Sequence, residues 1–315
     1  MSRIALVGTG LIGRAWAISF ARAGHEVRLF DENERLTKEA VAFATDMVPI
    51  LATEDLLNGQ DPGAVLQRLT IVGSLESAVD GADHIQESTP EVLEVKRTVF
   101  RRLDGLARSG TVIASSTSAI LPSRFTETLP GRHRCLVVHP INPPYLVPAV
   151  EVVPAPWTDP AVVERTRTLM AAAGQAPIVM KRELDGFVMN RMQGALLEEA
   201  FRLVADGYAS VEDVDIGLRE GLALRWSFMG PFETIDLNAP DGIRDYVQRY
   251  QSIYSRLFPS MQRRVDWAGP VLETAEGERR RLLVRDSLQD RQRWRDRRLM
   301  ALAAHKRRAD RDIGK

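Results

Sequence analysis

Two residues in the middle of the chain, His139 and Glu151, have types and positions that suggest chemistry. His139 follows the apolar run CLVV, and Glu151 begins the run EVVP. The connection PINPPYLVPAV carries four prolines, which predict a stiff link rather than a helix. If the two runs are neighbouring strands of opposite direction, the side chains lie side by side at the carboxyl end of a strand. A histidine held by a buried carboxylate can act as a general base, and a purely structural contact is the alternative.

A glycine loop near the N-terminus is a second pattern with chemical meaning. It follows the strand-like run IALV, opens the helix-like run RAWAISFARAG, and consists of Gly8, Thr9, Gly10, Leu11, Ile12 and Gly13. The glycines permit a tight turn, the approach of a pyrophosphate to the backbone, and close helix–strand packing. Asp31 lies 23 residues after Gly8, at the end of the next run, where it can bind ribose hydroxyls and repel a 2′-phosphate. The pattern predicts NAD rather than NADP, and an ordinary βα turn capped by Asp31 is the alternative.

The elements that must position these residues alternate over the first 180 residues. Strand-like runs occur at 4–7, 27–30, 84–86, 111–114, 135–138, 150–153 and 178–180, with helical patterns that include 13–23, 91–106 and 160–173. This alternation predicts an α/β fold, a Rossmann-like and mostly parallel sheet with helices on both faces. Helical stretches at 186–207, 211–220, 231–258 and 277–305 predict an all-α C-terminal domain, with Asp185 as the N-cap of the first. We expect an NAD-binding domain at 1–183 and a helical substrate and dimerisation domain at 184–315.

Composition and charge exclude several functional classes. Forty-two basic and 42 acidic residues give a net charge of zero, which predicts no nucleic-acid or membrane-surface partner. The sequence contains no run of about 18 apolar residues, so no membrane span is predicted. No metal site is expected either. Cys135 is the only cysteine, which excludes an intrachain disulfide and fits a cytoplasmic location. The arginine-rich stretch 277–312 interleaves Asp and Glu at helical spacing, which favours a charged surface helix docked on the body or on another subunit over a nucleic-acid arm.

Five ordered motifs carry a family resemblance. GTGLIG, ESTPEVLEVK, ASSTSAI, HPINPPYLVPAVEVV and DGFVMNRM together resemble the 3-hydroxyacyl-CoA dehydrogenase superfamily. Within it, VEVVPAPWTDP, GLALRWSFMGPFETIDLN and QDRQRWRDRRLM resemble the L-gulonate 3-dehydrogenases, the branch that includes the lambda-crystallins. The resemblance implies a base at His139 oriented by Glu151, and substrate contacts from Ser118 and Asn190. It also implies that Glu91, Lys96 and Asn142 lie along the cofactor.

The same residues have alternatives that do not depend on the family. Ser118 lies shortly after the strand-like run TVIA, so its hydroxyl is expected at the same edge as His139, or else in an ST-turn or helix cap. Asn190 falls inside a predicted helix, where it could be an ordinary interhelical or solvent-facing polar residue. Glu91 and Lys96 could belong to a solvated helix face.

Charged residues in two segments narrow the class of substrate. Residues 31–63 hold only Arg35 and Lys38 against eight acidic residues, which is unfavourable for the phosphates of CoA. Arg225, in the apolar segment LALRWSF, could bind a small carboxylate with two hydrogen bonds, or else pair with Glu220 or Glu233.

We therefore expect NAD-dependent oxidation of the 3-hydroxyl of a small free hydroxy acid, with L-gulonate first. L-carnitine or another 3-hydroxy acid is an alternative, because Trp226 and Phe228 flank Arg225 and could hold a trimethylammonium group. Acyl-CoA oxidation ranks below both, and a structural protein that retains a dinucleotide site is the alternative of a different class. A homodimer through the helical domain is expected from the family and from the apolar helices there.

Overall fold

The alternating runs of the first half form one eight-stranded sheet in the computed structural model, which describes residues 1–314. The strand order is β3-β2-β1-β4-β5-β6-β7-β8, and all neighbouring pairs are parallel except β6 with β7. The strands are β1 (Arg3–Val7), β2 (Glu26–Phe30), β3 (Leu69–Ile71), β4 (His84–Glu87), β5 (Val112–Ser115), β6 (Cys135–Pro140), β7 (Ala149–Pro154) and β8 (Ala176–Val179). The predicted α/β class and mostly parallel sheet are confirmed.

Helices cover both faces of this sheet. Ile4 and Leu6 of β1 lie in one buried apolar cluster and Ala5 and Val7 in another, so successive residues of the strand are buried on opposite faces. The helices of this unit are α1 (Leu11–Arg22), α2 (Glu34–Thr53), α3 (Pro62–Leu66), α4 (Leu75–Val79), α5 (Leu93–Leu106), α6 (Pro122–Thr126) and α7 (Pro160–Ala172). Strand β3 was not predicted, because it has three residues and two of them are exposed at the sheet edge.

The second half is helical, with more breaks than predicted. Its helices are α8 (Met189–Ala205), α9 (Val211–Ile216), α10 (Ala223–Trp226), α11 (Pro231–Asp236), α12 (Gly242–Met261), α13 (Pro270–Leu282) and α14 (Leu288–Asp312), and a π-helical segment, Gly217–Leu222, joins α9 to α10. The continuous helix predicted at 231–258 is interrupted between α11 and α12, where Pro240 lies. The helix predicted at 277–305 is interrupted by extended backbone at Leu283 and Val284.

The predicted N-cap at Asp185 is wrong. Gly186 and Phe187 have φ values of 77° and 49°, which a right-handed helix does not accommodate, so the helix begins at Met189.

The chain divides into two compact units. The first contains Met1–Val188 and Asp296–His305, and the second contains Met189–Arg295 and the residues after His305. Met300 and Ala304 of α14 are buried in a core cluster of the first unit, so the arginine-rich C-terminal helix docks on the body as predicted. Within residues 1–314, none of the helices is both long enough and apolar enough to cross a membrane.

Candidate functional site

The antiparallel pairing of β6 with β7 brings His139 and Glu151 together. They are direct partners in the strand register, and His139 Nδ1 lies 2.7 Å from Glu151 Oε2. The predicted side-by-side arrangement is therefore confirmed. An ionised carboxylate only accepts hydrogen bonds, so the imidazole hydrogen is on Nδ1 and the lone pair of Nε2 is available as an acceptor. The arrangement can accept a proton at Nε2 and stabilise the resulting cation.

Glu151 is fixed on its other side as well. Its Oε1 accepts a hydrogen bond of 2.6 Å from the backbone N–H of Val188, and the glutamate side chain is fully buried. The ring of Phe187, also fully buried, packs against His139 with a centroid distance of 5.6 Å. Phe187 and Val188 both lie in the segment DGFVMNRM, but neither was predicted as a site residue. No sequence pattern indicates a backbone N–H that donates to a distant carboxylate.

Ser118 lies in the loop that follows β5, as predicted, and is exposed. The loop is held by Glu91, whose Oε1 accepts hydrogen bonds from Thr117 Oγ1 at 2.5 Å, Ser118 N at 2.9 Å and Ala119 N at 3.1 Å. A single carboxylate oxygen thus fixes the backbone that carries the Ser118 hydroxyl. Glu91 therefore has a structural role in holding this loop, in addition to the cofactor contact that the resemblance implies for it.

Lys96 is buried, with 1% of its surface exposed, so the alternative of a solvated helix face is wrong for this residue. Its ammonium donates to both carboxylate oxygens of Glu87, at 2.9 and 3.2 Å, and to the carbonyl of Thr89 at 3.0 Å. Glu87 is fully buried and also accepts from Ser115 Oγ at 2.6 Å. The buried ion pair therefore ties α5 to the end of β4, and the Ser115 hydroxyl ties β4 to β5. Loss of one partner of the ion pair leaves an uncompensated charge.

The glycine loop fits the diphosphate of a dinucleotide. Gly8 has a φ of 91°, and a Cβ built there would lie 2.7 Å from the backbone of Ser88. A Cβ at Gly13 would collide with the carbonyl oxygen of Gly8, whereas a Cβ at Gly10 would meet nothing within 4 Å. The second glycine therefore faces open space at the start of α1, where no side chain caps the helix. An anion can approach the free N–H groups of that helix end directly.

Asp31 lies beside the same loop. Its carboxylate accepts from the backbone N–H of Thr9 at 2.8 Å and from that of Asn33 at 2.9 Å. The residue is partly exposed at the end of β2, so the remaining acceptor positions can reach a ribose. Leu11 is exposed and Ile12 is partly buried in the first turn of α1.

The other predicted residues lie in different parts of the chain. Asn142 is exposed in the connection between β6 and β7. Asn190 is the second residue of α8, and Arg225 is an exposed residue of α10; both belong to the second unit. Among the described residues, the predicted alternative of an ion pair between Arg225 and Glu220 or Glu233 is not formed, and Glu220 pairs with Arg219 at 2.6 Å.

Comparison with known proteins decides the family. The model of the NAD-binding domain of 3-hydroxyacyl-CoA dehydrogenase matches residues 3–183, and that of its C-terminal domain matches residues 186–277. The chain belongs to the 3-hydroxyacyl-CoA dehydrogenase family. It is therefore an NAD-dependent oxidoreductase that acts on CH–OH groups. The predicted NAD cofactor and the predicted enzyme class are confirmed.

Within this family, the chain resembles proteins of several names. It is 43% identical over 311 residues to a lambda-crystallin homolog of Bos taurus, covering 95% of this chain and 94% of that one. It is 42% identical over 240 residues to an L-carnitine dehydrogenase of Streptomyces griseus, covering 76% of this chain and 70% of that one. The crystal structure of an NAD-dependent dismutase, 5-formyl-3-hydroxy-2-methylpyridine 4-carboxylic acid 5-dehydrogenase, has a TM-score of 0.81 at 28% identity, with 98% of each chain covered. The predicted relationship to the lambda-crystallin branch is confirmed.

Proposed function

We propose that this family member oxidises the 3-hydroxyl of a small free hydroxy acid, with L-gulonate as the first candidate. The observation that carries the proposal is the His139–Glu151 pair, in which the carboxylate lies 2.7 Å from Nδ1 and leaves Nε2 as the acceptor. Both side chains are almost completely buried, so the interaction is weakly screened by solvent. This is the environment that a general base requires, with a fixed tautomer and a nearby charge to stabilise its protonated form.

The chemistry then follows from the pair. The substrate hydroxyl proton moves to Nε2 of His139 as the C3–H bond breaks and the C–O bond becomes a carbonyl. When bound, NAD supplies the acceptor for the hydride that leaves C3. The imidazolium is held by Glu151, whose second oxygen remains fixed by the Val188 N–H at 2.6 Å. The proton passes to solvent, and the product is a 3-oxo acid.

Ser118 and Asn190 are proposed to bind the substrate oxygen. Two observations support Ser118: it is exposed after β5, and Glu91 fixes its loop by accepting three hydrogen bonds from it. The role proposed for Asn190 rests on the family resemblance. The same is true of the cofactor contacts proposed for Glu91, Lys96 and Asn142. Because Lys96 is buried against Glu87, we propose that it acts on the cofactor side by holding the loop after β4.

A free acid is favoured over a CoA thioester by charge. The segment after β2 has two basic residues against eight acidic ones, so it offers little attraction to the phosphates of CoA. Arg225 has no carboxylate partner within residues 1–314 and is proposed to bind the substrate carboxylate. The similarity to lambda-crystallin homologs, together with the branch resemblance of the sequence, supports L-gulonate among the free acids.

L-carnitine is the second candidate, for two specific reasons. The relatives at 38–42% identity include L-carnitine dehydrogenases of three bacteria. Trp226 is partly exposed and Phe228 is 69% exposed, one and three residues after Arg225. Aromatic faces beside a carboxylate-binding arginine would suit a substrate that carries both a trimethylammonium and a carboxylate group.

A panel assay separates these substrates. The purified chain is incubated with NAD and with L-gulonate, L-carnitine, 3-hydroxybutyrate or 3-hydroxybutyryl-CoA, and the appearance of the reduced cofactor is recorded. We expect the highest kcat/KM for L-gulonate. A higher value for the CoA thioester would contradict the assignment to a free acid, and no turnover of any of the four would contradict the proposed substrate class.

We propose a homodimer through the second unit. One exposed face of α12 is apolar, with Val247, Tyr250, Tyr254, Leu257 and Phe258 each between 38% and 51% exposed. Burial of such a face against a second copy removes apolar surface from water. Light scattering should give twice the chain mass for the wild type and the monomer mass for Phe258→Glu. A monomeric wild type would contradict the proposal.

We also propose a domain boundary at residues 183–184 and a cytoplasmic location. The first family model ends at residue 183 and the second begins at residue 186. The compact units divide slightly later, after Val188, and the first unit also includes residues 296–305. The single, buried cysteine is compatible with a reducing compartment. Limited proteolysis would test the boundary, and cell fractionation would test the location.

A further inference from the structure

A chain of buried polar side chains runs through the sheet beside the glycine loop. His84 and Gln86 of β4 are 1% and 0% exposed, and Ser116, just after β5, is 9% exposed. The strands of a parallel sheet are normally apolar on both faces, and a buried polar group is costly unless it is hydrogen-bonded. These three residues bond to one another, with His84 Nε2 at 3.0 Å from Gln86 Oε1 and Gln86 Nε2 at 2.7 Å from Ser116 Oγ.

The direction of each hydrogen bond in this chain can be worked out. Gln86 Nε2 also lies 3.3 Å from the carbonyl oxygen of Val138, which can only accept. The amide nitrogen of Gln86 therefore faces Val138 and Ser116, and its oxygen faces His84. His84 must then carry its hydrogen on Nε2. Burial lowers the pKa of His84 to about 4, so this ring is neutral at physiological pH.

The same accounting fixes the two serines at the end of the chain. Ser116 Oγ accepts from Gln86 Nε2 and from the indole N–H of Trp16 at 3.1 Å, which uses both of its lone pairs. Its own hydrogen must be donated, and Ser88 Oγ lies 3.0 Å away. Ser88 therefore accepts from Ser116, and the Ser88 hydrogen points elsewhere. Within residues 1–314, Ser88 Oγ makes no other hydrogen bond.

Ser88 lies where the dinucleotide is expected. β1 and β4 are parallel neighbours with Val7 opposite Glu87, so Gly8 and Ser88 follow adjacent strand ends. The sheet order reverses between these two strands, and this is the crevice in which open α/β sheets bind nucleotides. A Cβ built at Gly13 would lie 3.8 Å from Ser88 Cβ, and Ser88 is partly exposed.

The half of the dinucleotide that Ser88 faces follows from the strand order. Asp31, the predicted ligand of the adenosine ribose, directly follows β2 on one side of β1. Ser88 directly follows β4 on the other side of β1. On that side lie β5, whose following loop holds Ser118, and β6, which contains His139. The reacting half of the cofactor must extend toward His139.

We propose that the Ser88 hydroxyl donates a hydrogen bond to an oxygen of the nicotinamide-side half of NAD, and that Gln86 and Ser116 are positioning residues that fix its direction. This inference rests on NAD binding and not on the identity of the hydroxy acid. It can therefore fail while the proposed substrate stands, and the reverse is also true.

The first experiment measures cofactor affinity by calorimetry without substrate. Ser88→Ala should weaken NAD binding about 3- to 10-fold, the effect expected for one oriented hydrogen bond. Ser88→Cys keeps nearly the same shape but donates only weakly, so it should lose a similar amount. An unchanged affinity in Ser88→Ala would overturn the proposal, and a full-affinity cysteine variant would assign the role to packing instead of donation.

Ligand fragments test the assignment to the nicotinamide half. AMP, which contains only the adenosine half, should bind wild type and Ser88→Ala equally. A loss for ADP-ribose as well as NAD would support an acceptor on the second ribose or the pyrophosphate, and a loss for NAD alone would support the carboxamide. An equal loss for AMP would overturn the assignment.

A double-mutant comparison tests the positioning role. Ser116→Ala removes the donor that orients Ser88 and should weaken NAD binding about 2- to 5-fold in the wild-type background. In the Ser88→Ala background, it should have no further effect, because nothing remains to be oriented. Gln86→Leu should behave in the same way, with its melting temperature recorded separately. Equal losses in both backgrounds would mean that these residues act only through stability.

Discussion

Acidification should destabilise the first unit through His84. The ring is fully buried, and burial lowers its pKa from 6.5 to about 4, with the hydrogen bond to Gln86 acting in the opposite direction. Because the folded-state pKa lies below the unfolded value, the unfolded chain binds more protons between these pH values. The stability from the neutral ring is thus complete above pH 6.5 and is lost as the pH falls toward 4. Linkage gives a loss of about 2 kcal/mol at pH 5 and about 3 kcal/mol at pH 4.

The assay is urea unfolding followed by circular dichroism at pH 8 and pH 5, on the wild type and on His84→Leu. His84→Leu leaves the oxygen of Gln86 without its donor, so the variant should be less stable at pH 8 by about 1–3 kcal/mol. Its further loss on acidification should be smaller than that of the wild type by about 2 kcal/mol. The matched control is His133→Leu, at an exposed histidine of the same unit, which should retain the wild-type pH dependence. A parallel pH dependence in wild type and His84→Leu would refute the argument.

Four further predictions concern single residues. Asp31→Asn removes the charge that repels a 2′-phosphate, so the preference of kcat/KM for NAD over NADP should fall about tenfold, and a wild type that already prefers NADP would contradict this. Burial, with a smaller contribution from Asp104, raises the pKa of Cys135 to about 12, so the native thiol should not react with Ellman's reagent at pH 8 and should react fully after unfolding. Arg225→Met should raise the KM for the free acid about tenfold and leave the KM for a CoA thioester unchanged. The effect is modest because the arginine is exposed. Glu151→Gln should lower kcat less than loss of the base itself, because the imidazolium that His139 forms during turnover loses its counter-charge, and a kcat equal to that of the wild type would contradict this.

Local patterns were sufficient to predict the β6–β7 pairing and the glycine loop. Four prolines between His139 and Glu151 restricted the connection, and a period-two register then placed the two side chains together. The requirement for glycine is also local at position 13, where a Cβ would meet the carbonyl of Gly8, and at position 8 through its φ of 91°.

Contacts between residues distant in sequence could not be predicted in this way. The bond from Val188 N–H to Glu151 depends on positive φ values at Gly186 and Phe187, and nothing in DGFVMNRM excludes a helix there. The spacing of Lys96 allows a position on a solvated helix surface, and only the fold brings it against the buried carboxylate of Glu87, nine residues earlier. The polar residues of the strand HIQE did carry a signal, because His84 and Gln86 are unusual in a parallel sheet covered on both faces.

The account depends most on His139 as the base, and turnover of His139→Gln tests it most directly. The variant is assayed with NAD and the best substrate of the panel, beside the matched control His133→Gln and with NAD affinity measured by calorimetry. We predict that kcat falls about 10²- to 10⁴-fold in His139→Gln, with unchanged NAD affinity, and that the control retains wild-type turnover. Near-wild-type turnover in His139→Gln would contradict the mechanism and reduce the pair with Glu151 to a structural contact.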